Sequence, residues 1–250
     1  IRKLAKVKEK ARVVSKNNRI EKLVVGDKEI IADKYIFCTG GKSYPETGST
    51  GDGFRWASDL GHNVSELSPA LVSTKIKQDW AKDLQGLVLK DVGINILQNN
   101  KKQFREIGDI LFTHFGLSGP SILNISKKIG ELLKQGEVKL NLDIFPNLNM
   151  EDLNKKIQEK INKNPRKPIK SFFADFMPQR FANIFIKILA IGDDKQVNNI
   201  TKKERIVIAN LFKKIEVIPT ELLGFDLAMV TSGGVILKEI DDKTMKSKII

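Results

Sequence analysis

Residues 38–53 read CTGGKSYPETGSTGDG, and this glycine-rich stretch directly follows the apolar run Tyr35-Ile36-Phe37. It holds five glycines and five Ser or Thr residues. Glycine loses more conformational freedom on folding than any other residue, so five of them close together predict a backbone that must approach something closely. The apolar run itself predicts a buried strand over Tyr35–Cys38, with Cys38 as a small buried residue. The strand would lead straight into the glycine-rich loop.

Two parts of this loop are suited to binding a cofactor. The turn at Thr39–Gly41 offers backbone N–H groups that no Cβ shields, and such groups bind phosphate or ribose. The segment Thr47–Gly53 leads into a predicted helix near Asp52, where the helix dipole attracts anions and the hydroxyls can bond ligand oxygens. The alternatives are an ordinary β-turn for the first part and a surface loop for the second.

Elsewhere the chain alternates between β and helical patterns. Residues 11–37 have short apolar runs separated by turn signals, which predicts a β-meander. The section from about Pro69 to Phe145 alternates partly with period two, which indicates strands, and one helix begins at Gly119-Pro120.

Residues 149–214 have a helical pattern, and β structure is predicted again after residue 215. Asn149 is a predicted N-cap, and Thr201 to Glu204 has the pattern of a capping box. This segment carries 15 Lys and Arg against 7 Asp and Glu, so +8 of the chain's net charge of +13 lies in it. Such a charge suits a polyanionic partner such as RNA, and a solvated helix surface is the alternative.

Two further motifs are candidates for function. The stretch FTHFGLSGP at 112–120 places His114, one of two histidines, just before a helix start, with a packing histidine as the alternative. The stretch VTSGGV at 230–235 repeats the strand and double-glycine pattern, with a tight turn as the alternative. The other histidine, His62, is predicted to be structural.

The amino-acid composition limits the classes of protein to which this chain can belong. The chain is 41% hydrophobic and 29% charged, as expected for a globular protein, and no run of about 18 apolar residues predicts a membrane span. One cysteine excludes an internal disulfide and fits a cytoplasmic location. With two histidines beside that cysteine, no metal site is expected.

Taken together, the motifs resemble one family. The stretches CTGGKSYPETGSTGDG, GHNVSELSPALV, ILFTHFGLSGPSILNIS and GFDLAMVTSGGVILKEIDDKTMKSKII are similar to the BaiN/YhiN-like, or aminoacetone-oxidase-like, bacterial FAD-dependent oxidoreductases. A weaker likeness links TGG and TGDG to fumarate-reductase-like flavoproteins. The first resemblance extends in the family's order over nearly the whole chain.

The resemblance implies an α/β protein of the α+β, multi-domain kind. A partial Rossmann-like FAD-binding domain (1–67 and 233–250) would be interrupted by a β-rich domain (68–147 and 215–232) that carries a helical insert (148–214). Family members also have an N-terminal G-x-G-x-x-G motif and a further C-terminal flavin-contacting segment, which this sequence lacks, so we expect an internal fragment.

The resemblance also implies FAD as cofactor. The residues expected to contact FAD are Thr39, Gly40, Gly41, Ser43, Thr47, Gly48, Ser49, Thr50, Gly51, Asp52, Gly53, Thr231, Gly233, Gly234 and Val235. His114, as proton donor or hydrogen-bonding group, and Tyr44, as a phenol near the flavin, are the catalytic candidates. The electron donor, NADH or NADPH, has no fingerprint in this sequence.

The remaining functional hypotheses differ in the substrate that they assign to the protein. The family is expected to reduce a C=C bond conjugated with a carbonyl, and the charge of the helical insert favours uridine in ribosomal RNA. Phe172, Phe173 and Phe176 are a candidate platform for the extruded base, with core packing as the alternative. A small-molecule flavin oxidoreductase (enone reductase or amine oxidase) is the second hypothesis, and a non-catalytic docking module is the third.

Overall fold

A computed structural model describes residues 11–17, 19–192 and 194–250. The chain divides into two compact units. Unit 1 comprises Ile1–Pro69 and Ala228–Ile250, of which residues 1–10 and 18 are not described, and unit 2 comprises Ala70–Leu227. Unit 2 is therefore inserted in the sequence between the two segments of unit 1. The first ten residues of the predicted FAD-binding segment 1–67 lie outside the described residues.

The described part of unit 1 contains a small antiparallel sheet and one α-helix. The strands β1 (Ala11–Lys16), β2 (Arg19–Val25) and β3 (Lys28–Ile30) pair in the order β1-β2-β3, which confirms the predicted meander over these residues. The helix α1 spans Asp52–Asp59, as the sequence predicts. A second, two-stranded sheet pairs β4 (Ser68–Ala70) with β12 (Val230–Ser232).

The predicted buried strand at Tyr35–Cys38 is wrong. These residues have no regular structure, Ile36 is 86% exposed and Cys38 is exposed. A strand requires a hydrogen-bonding neighbour, and within the described ranges none pairs with this segment. Instead the Tyr35 hydroxyl accepts from the N–H of Ala32 at 3.0 Å and donates to the carbonyl of Glu21 at 3.3 Å, which holds Tyr35 against the meander.

Unit 2 is built on a seven-stranded antiparallel sheet. Its strands pair in the order β10-β9-β6-β7-β8-β5-β11. They are β5 (Thr74–Ile76), β6 (Val88–Gln98), β7 (Lys101–Phe112), β8 (Gly116–Ser118), β9 (Val138–Asp143), β10 (Ile215–Val217) and β11 (Pro219–Leu222). The two edge strands, β10 and β11, are separated in sequence by Ile218 alone. Two successive peptide units span at most about 7 Å, so the edges must meet and the sheet curls into a barrel.

Local sequence explains the longest hairpin and the helix that covers the sheet. Asn99 (φ 51°) and Asn100 (φ 60°) form the turn between β6 and β7, because asparagine tolerates the left-handed region that a tight hairpin needs. The helix α2 (Pro120–Leu133) begins at the predicted proline and packs against β7. Its predicted apolar residues are all buried: Ile122, Ile125, Ile129 and Leu132.

Of the residues described between β9 and β10, four stretches are α-helical: α3 (Met150–Lys163), α4 (Ile169–Ala174), α5 (Gln179–Leu189) and α6 (Lys202–Lys213). The Asn149 side chain accepts the N–H of Asp152, and Thr201 and Glu204 form a complete capping box, so both predicted caps are confirmed. The short helix α4 has no equivalent in the sequence prediction. Unit 2 holds both the strands and these helices, so the division of residues 68–232 into two domains stays a prediction.

The helices pack around phenylalanines. Phe172 is 1% exposed and Phe173 is fully buried. Phe185 stacks on Phe212 with ring centroids 4.7 Å apart. The prediction of a base platform is therefore wrong for Phe172 and Phe173, because both rings are used by the core. Phe176 is partly buried and packs edge-on against Phe145 and Phe172.

The fold class is confirmed as α+β with more than one compact part. The three-stranded sheet of unit 1 is antiparallel, so it is not itself a Rossmann sheet, and the Rossmann-like character of this unit stays a prediction. Within the described ranges, no helix is long and apolar enough to cross a membrane.

A buried ion pair joins the two ends of the helical segment that lies between β9 and β10. Lys213 at the end of α6 lies 2.7 Å from a carboxylate oxygen of Asp143 at the end of β9, and the two side chains are 19% and 7% exposed. Lys213 also donates to the carbonyls of Phe145 and Leu148, both at 2.8 Å. Its ammonium group thus has three acceptors, which compensates the cost of burying its charge.

Replacing Lys213 with Met should lower the free energy of unfolding by about 3 kcal/mol, because Asp143 would stay buried without its partner. Urea denaturation followed by circular dichroism measures the loss. Lys214→Met, at the exposed neighbouring position, is the matched control and should change stability by less than about 0.5 kcal/mol. Equal losses in the two variants would contradict a special role for the pair.

Candidate cofactor site

Two loops of unit 1 meet at the hydroxyl of Thr231 in β12. Thr231 Oγ1 accepts the N–H of Lys42 at 2.7 Å and the N–H of Ser43 at 3.1 Å, and it lies 3.1 Å from Ser43 Oγ. These contacts link residues that are 188 or more positions apart in the sequence. One side chain from the second segment of unit 1 therefore fixes the turn that follows Gly41.

Close packing explains two of the glycines. A Cβ on Gly41 would lie 2.7 Å from Thr231 Oγ1, and a Cβ on Gly53 would overlap Thr39 Oγ1. The N–H of Gly51, which has φ 83° and caps α1, donates to the carbonyl of Gly41 at 3.1 Å. The segment Thr39–Gly41 thus packs directly on the first turn of α1, and larger residues at 41 or 53 would separate them.

This packing leaves a set of backbone donors without partners. In the described part of the chain, the N–H groups of Gly40, Gly41, Asp52 and Gly53 make no hydrogen bond. Ser49 lies in the same place, with its Oγ 3.0 Å from where a Cβ on Gly40 would be. Unpaired backbone N–H groups with a hydroxyl close by are groups that can bind oxygen atoms of a ligand.

The charge of Asp52 decides which part of a flavin cofactor this surface fits. Asp52 is the first residue of α1, and its carboxylate is held by Thr50 Oγ1 at 2.8 Å and Arg55 at 2.9 Å. A negative charge therefore already lies at the helix N-terminus, where a phosphate would otherwise bind. The site fits the neutral, hydroxyl-bearing ribityl chain and ring edge of FAD better than its pyrophosphate.

The outer part of the loop is open. Tyr44 has a left-handed backbone (φ 53°), which is costly for a bulky residue, and its side chain is 45% exposed. Thr47 Oγ1 donates to the Tyr44 carbonyl at 2.8 Å, so it supports the bend. Gly48 has open space where a Cβ would be. Tyr44 is thus available to a ligand, and its catalytic role stays a prediction.

The second double glycine packs against the end of the first segment. Gly234 donates to Ser65 Oγ at 3.0 Å, and its carbonyl accepts the N–H of Ser65 at 2.8 Å. A Cβ on Gly234 would lie 2.9 Å from the ring of Phe54 in α1, and Val235 forms a bridge with Val64. These contacts place Gly233–Val235 beside α1, and their contact with FAD stays a prediction.

His114 belongs to unit 2. It lies at the tip of the turn between β7 and β8, which the N–H of Thr113 closes by donating to the carbonyl of Gly116 at 2.8 Å. The imidazole is exposed and touches the ring of Phe115 edge-on, with centroids 4.8 Å apart. This exposure contradicts the alternative of a packing histidine and leaves the ring accessible, while its catalytic role stays a prediction.

Comparison with known proteins agrees with this architecture. The family described as HI0933-like protein barrel and H2TH domain matches residues 68–230, which include the seven-stranded sheet and all four helices between β9 and β10. The chain belongs to this family of flavoproteins.

Three curated relatives of this HI0933-like chain have informative names. A 3-dehydro-bile acid delta(4,6)-reductase of Clostridium scindens is 26% identical over 87% of the chain and 53% of its own length. Ribosomal RNA dihydrouridine synthases of Escherichia coli and Haemophilus influenzae are 30% and 29% identical over 86% and 85% of the chain. These two are matched over 51% and 50% of their length, so the chain spans about half of each relative.

The HI0933-like chain contains one side-chain cluster that the sequence patterns do not reveal. His62 is 7% exposed, and its Nδ1 lies 2.9 Å from Glu239 Oε2 while its Nε2 lies 2.9 Å from Ser247 Oγ. Asn63 donates to Glu239 through its backbone N–H at 2.9 Å and its side chain at 2.5 Å. His62 and Asn63 lie 176 or more positions from Glu239 and Ser247 in the sequence, so no local spacing could have indicated the cluster.

The cluster resembles a Ser-His-Glu triad, but its hydrogen bonds make it a structural clamp. Ser247 Oγ accepts the N–H groups of Ile249 and Ile250, both at 3.0 Å, so both lone pairs are used. Such an oxygen has no lone pair left to attack a substrate, and its O–H must donate to His62 Nε2. The proton of His62 therefore lies on Nδ1 and is donated to Glu239. Hydrogen bonds from Asn63, and then from His62, hold the pKa of the Glu239 carboxyl below its ordinary value.

We expect His62 to be the Nδ1–H tautomer at pH 8, in contrast to the Nε2–H tautomer that free histidine prefers in water. Long-range ¹H–¹⁵N correlation spectra distinguish the two forms. His114→Gln assigns the two histidine signals, and the exposed His114 provides the internal comparison. A protonated Nε2 on His62 would show that Ser247 accepts from the ring and would remove the physical objection to a nucleophilic Ser247.

Proposed function

We propose that the protein containing this chain is a flavin-dependent oxidoreductase that reduces a C=C bond conjugated with a carbonyl, with uridine in ribosomal RNA as the favoured substrate. The observation that carries the proposal is similarity over 85–87% of the chain to relatives named as a reductase and as dihydrouridine synthases. Reduction of an enone and reduction of the uracil C5=C6 bond are chemically alike, because both add a hydride and a proton to a polarised double bond.

The residues around Gly41 support a flavin at this site. Bound FAD would supply the hydride, and the protein would position it and supply protons. The N–H groups of Gly40 and Gly41 and the hydroxyl of Ser49 would bind its oxygen atoms. Thr231 would keep the turn in place, while His114 is our candidate for the proton donor. We propose NADH or NADPH as the source of electrons.

The charge of the helices supports RNA over a small substrate. Several lysines of the helices have carboxylate partners, for example Lys155 with Glu151 and Lys195 with Glu204. Others, such as Lys163 and Arg166, have none within the described ranges. Unpaired surface cations give affinity for phosphates, which an enone reductase does not need.

A small-molecule reductase is the second candidate. It is favoured by the bile acid reductase, which covers 87% of the chain. Its substrate would lack phosphates, so neutralising Lys155, Lys156, Lys160 and Lys163 would leave its turnover unchanged. A protein that reduces an RNA base would lose affinity for RNA in the same variant.

Thr231→Val should raise the dissociation constant for FAD about tenfold, while Thr231→Ser should keep it within about twofold. Valine has the same shape but leaves the N–H groups of Lys42 and Ser43 without their acceptor, which costs about 1–3 kcal/mol. Quenching of FAD fluorescence on titration into the apoprotein measures the constant. Equal affinities for the valine and serine variants would contradict a positioning role for this hydroxyl.

Anaerobic reoxidation of the reduced flavin tests the function. The full-length flavoprotein is photoreduced and mixed with a ribosomal RNA transcript, a small α,β-unsaturated ketone or buffer, and the flavin absorbance is followed. We expect rapid reoxidation by the transcript together with formation of dihydrouridine. Reoxidation by the ketone alone would reject the RNA substrate and support the second candidate.

The same assay tests His114. His114→Gln should slow reoxidation by about 100-fold, the size expected for loss of a general acid, without loss of bound flavin. Tyr44→Phe tests the second catalytic candidate in the same way. An unchanged rate for His114→Gln would reject its role as proton donor.

A further inference from the structure

The connection between α3 and α4 forms a shallow cavity that is wide open to solvent and lined mainly by cationic residues. The cavity measures about 520 Å³ and is lined by Lys163, Asn164, Pro165, Arg166 and Lys167. Three of these five consecutive residues are cationic. We call residues 163–167 the basic corner.

Part of the charge of the basic corner is neutralised, and part is not. Asp175 binds Lys167 at 2.7 Å and Lys160, on α3, at 3.6 Å. The hydrogen bond from Lys167 holds the pKa of Asp175 below its ordinary value, so this carboxylate stays ionised and serves two lysines. Lys163 and Arg166 make no ion pair within the described residues. The basic corner therefore has an excess of positive charge.

The backbone of the basic corner is held in place. The carbonyl of Pro165 accepts the N–H of Asn198 at 2.9 Å, and the carbonyl of Lys167 accepts the N–H of Val197 at 3.0 Å. The N–H of Lys167 donates to the carbonyl of Asn164 at 3.1 Å, which closes the turn. The backbone of the turn is therefore fixed before any ligand binds, so only the exposed side chains of Lys163 and Arg166 lose conformational entropy on binding.

We propose that the basic corner is a binding site for phosphate groups of the RNA backbone, an inference that rests on the proposed function and assigns its RNA contact. Lys163 is the unpaired point charge, and the Arg166 guanidinium is suited to bidentate binding of a phosphate. The cavity is open to solvent, so it admits a continuous chain. The contact positions the RNA and does not read its bases.

The phosphate of a free nucleotide is the other source of the same chemistry. A nucleotide site would also bind the base or ribose, and the cavity is lined by no aromatic residue. The experiment includes NADPH as a separate arm, so the two sources are distinguished. A changed KM for NADPH with unchanged RNA affinity would overturn the assignment to RNA.

The test compares two double variants of the full-length flavoprotein. Lys163→Gln with Arg166→Gln removes two charges from the basic corner. Lys101→Gln with Lys102→Gln removes two charges from the exposed tip of the β6–β7 hairpin and is the matched control. Anisotropy of a fluorescein-labelled ribosomal RNA transcript, measured at several KCl concentrations, reports the dissociation constant.

We expect the basic-corner variant to weaken RNA binding at least tenfold. The slope of log affinity against log salt should also fall by about 1.5, because each phosphate contact contributes about 0.7–0.9 to this slope and two contacts are lost. The hairpin variant should change the dissociation constant less than twofold. Lys163→Arg with Arg166→Lys keeps both charges and should bind RNA within about threefold of the wild type. Equal losses in the basic-corner and hairpin variants would overturn the inference, because general charge would then explain binding.

Reoxidation by RNA separates this inference from the proposed function. If RNA reoxidises the flavin with the same KM in the wild type and the basic-corner variant, the reaction stands and the basic corner is rejected. If RNA binds at the basic corner but never reoxidises the flavin, the site stands and the proposed reaction is rejected. Reoxidation by the small ketone should be equal in all variants.

Discussion

The fold of unit 2 requires that the chain, after the helices that follow β9, return to the edge of the sheet beside β9. β9 and β10 are adjacent antiparallel strands, so the four helices between them must begin and end at the same edge of the barrel. Lys213 meets this constraint by binding Asp143, which precedes the helices, and the carbonyls of Phe145 and Leu148. Hydrophobic packing of Phe212 against Phe185 is non-directional and tolerates small shifts. The buried ion pair has a defined geometry, so it fixes the relation of the helices to β9.

Elements determined by local sequence could be predicted, and elements determined by distant partners could not. The Asn149 cap, the capping box at Thr201 and the apolar residues of α2 depend on side chains within a few positions, and all three predictions are confirmed. Tyr35–Cys38 has the composition of a strand, but a strand exists only with a neighbour, and none of the described residues pairs with it. The closing of the barrel at Ile218 required the strand order, which no local pattern contains. The same holds for the clamp of His62, Glu239 and Ser247.

The glycine-rich loop shows why a motif can be recognised before its role is understood. The density of glycine in residues 38–53 correctly indicated close approach, but the approaching groups at Gly41 and Gly53 are side chains of the same protein, Thr231 and Thr39. Among the described residues, the N–H groups of Gly40 and Gly41 are left without a hydrogen-bond acceptor. In the proposed flavin site the glycines therefore act indirectly: they let the loop pack closely against its own side chains while some of its donors stay free for a ligand. In the same proposal, the carboxylate of Asp52 favours the uncharged part of the flavin over its pyrophosphate.

The distribution of charge carries more information than its total. A net charge of +13 is compatible with any lysine-rich protein, and many of the lysines in unit 2 are ion-paired or support the fold, as Lys213 does. What distinguishes the basic corner is the combination of unpaired cations, an open cavity and a backbone fixed by Asn198 and Val197. A solvated helix surface requires none of these together. Because a fixed backbone keeps these cations close together beside one open cavity, the salt dependence should be concentrated at this corner rather than spread over all the lysines of the helices.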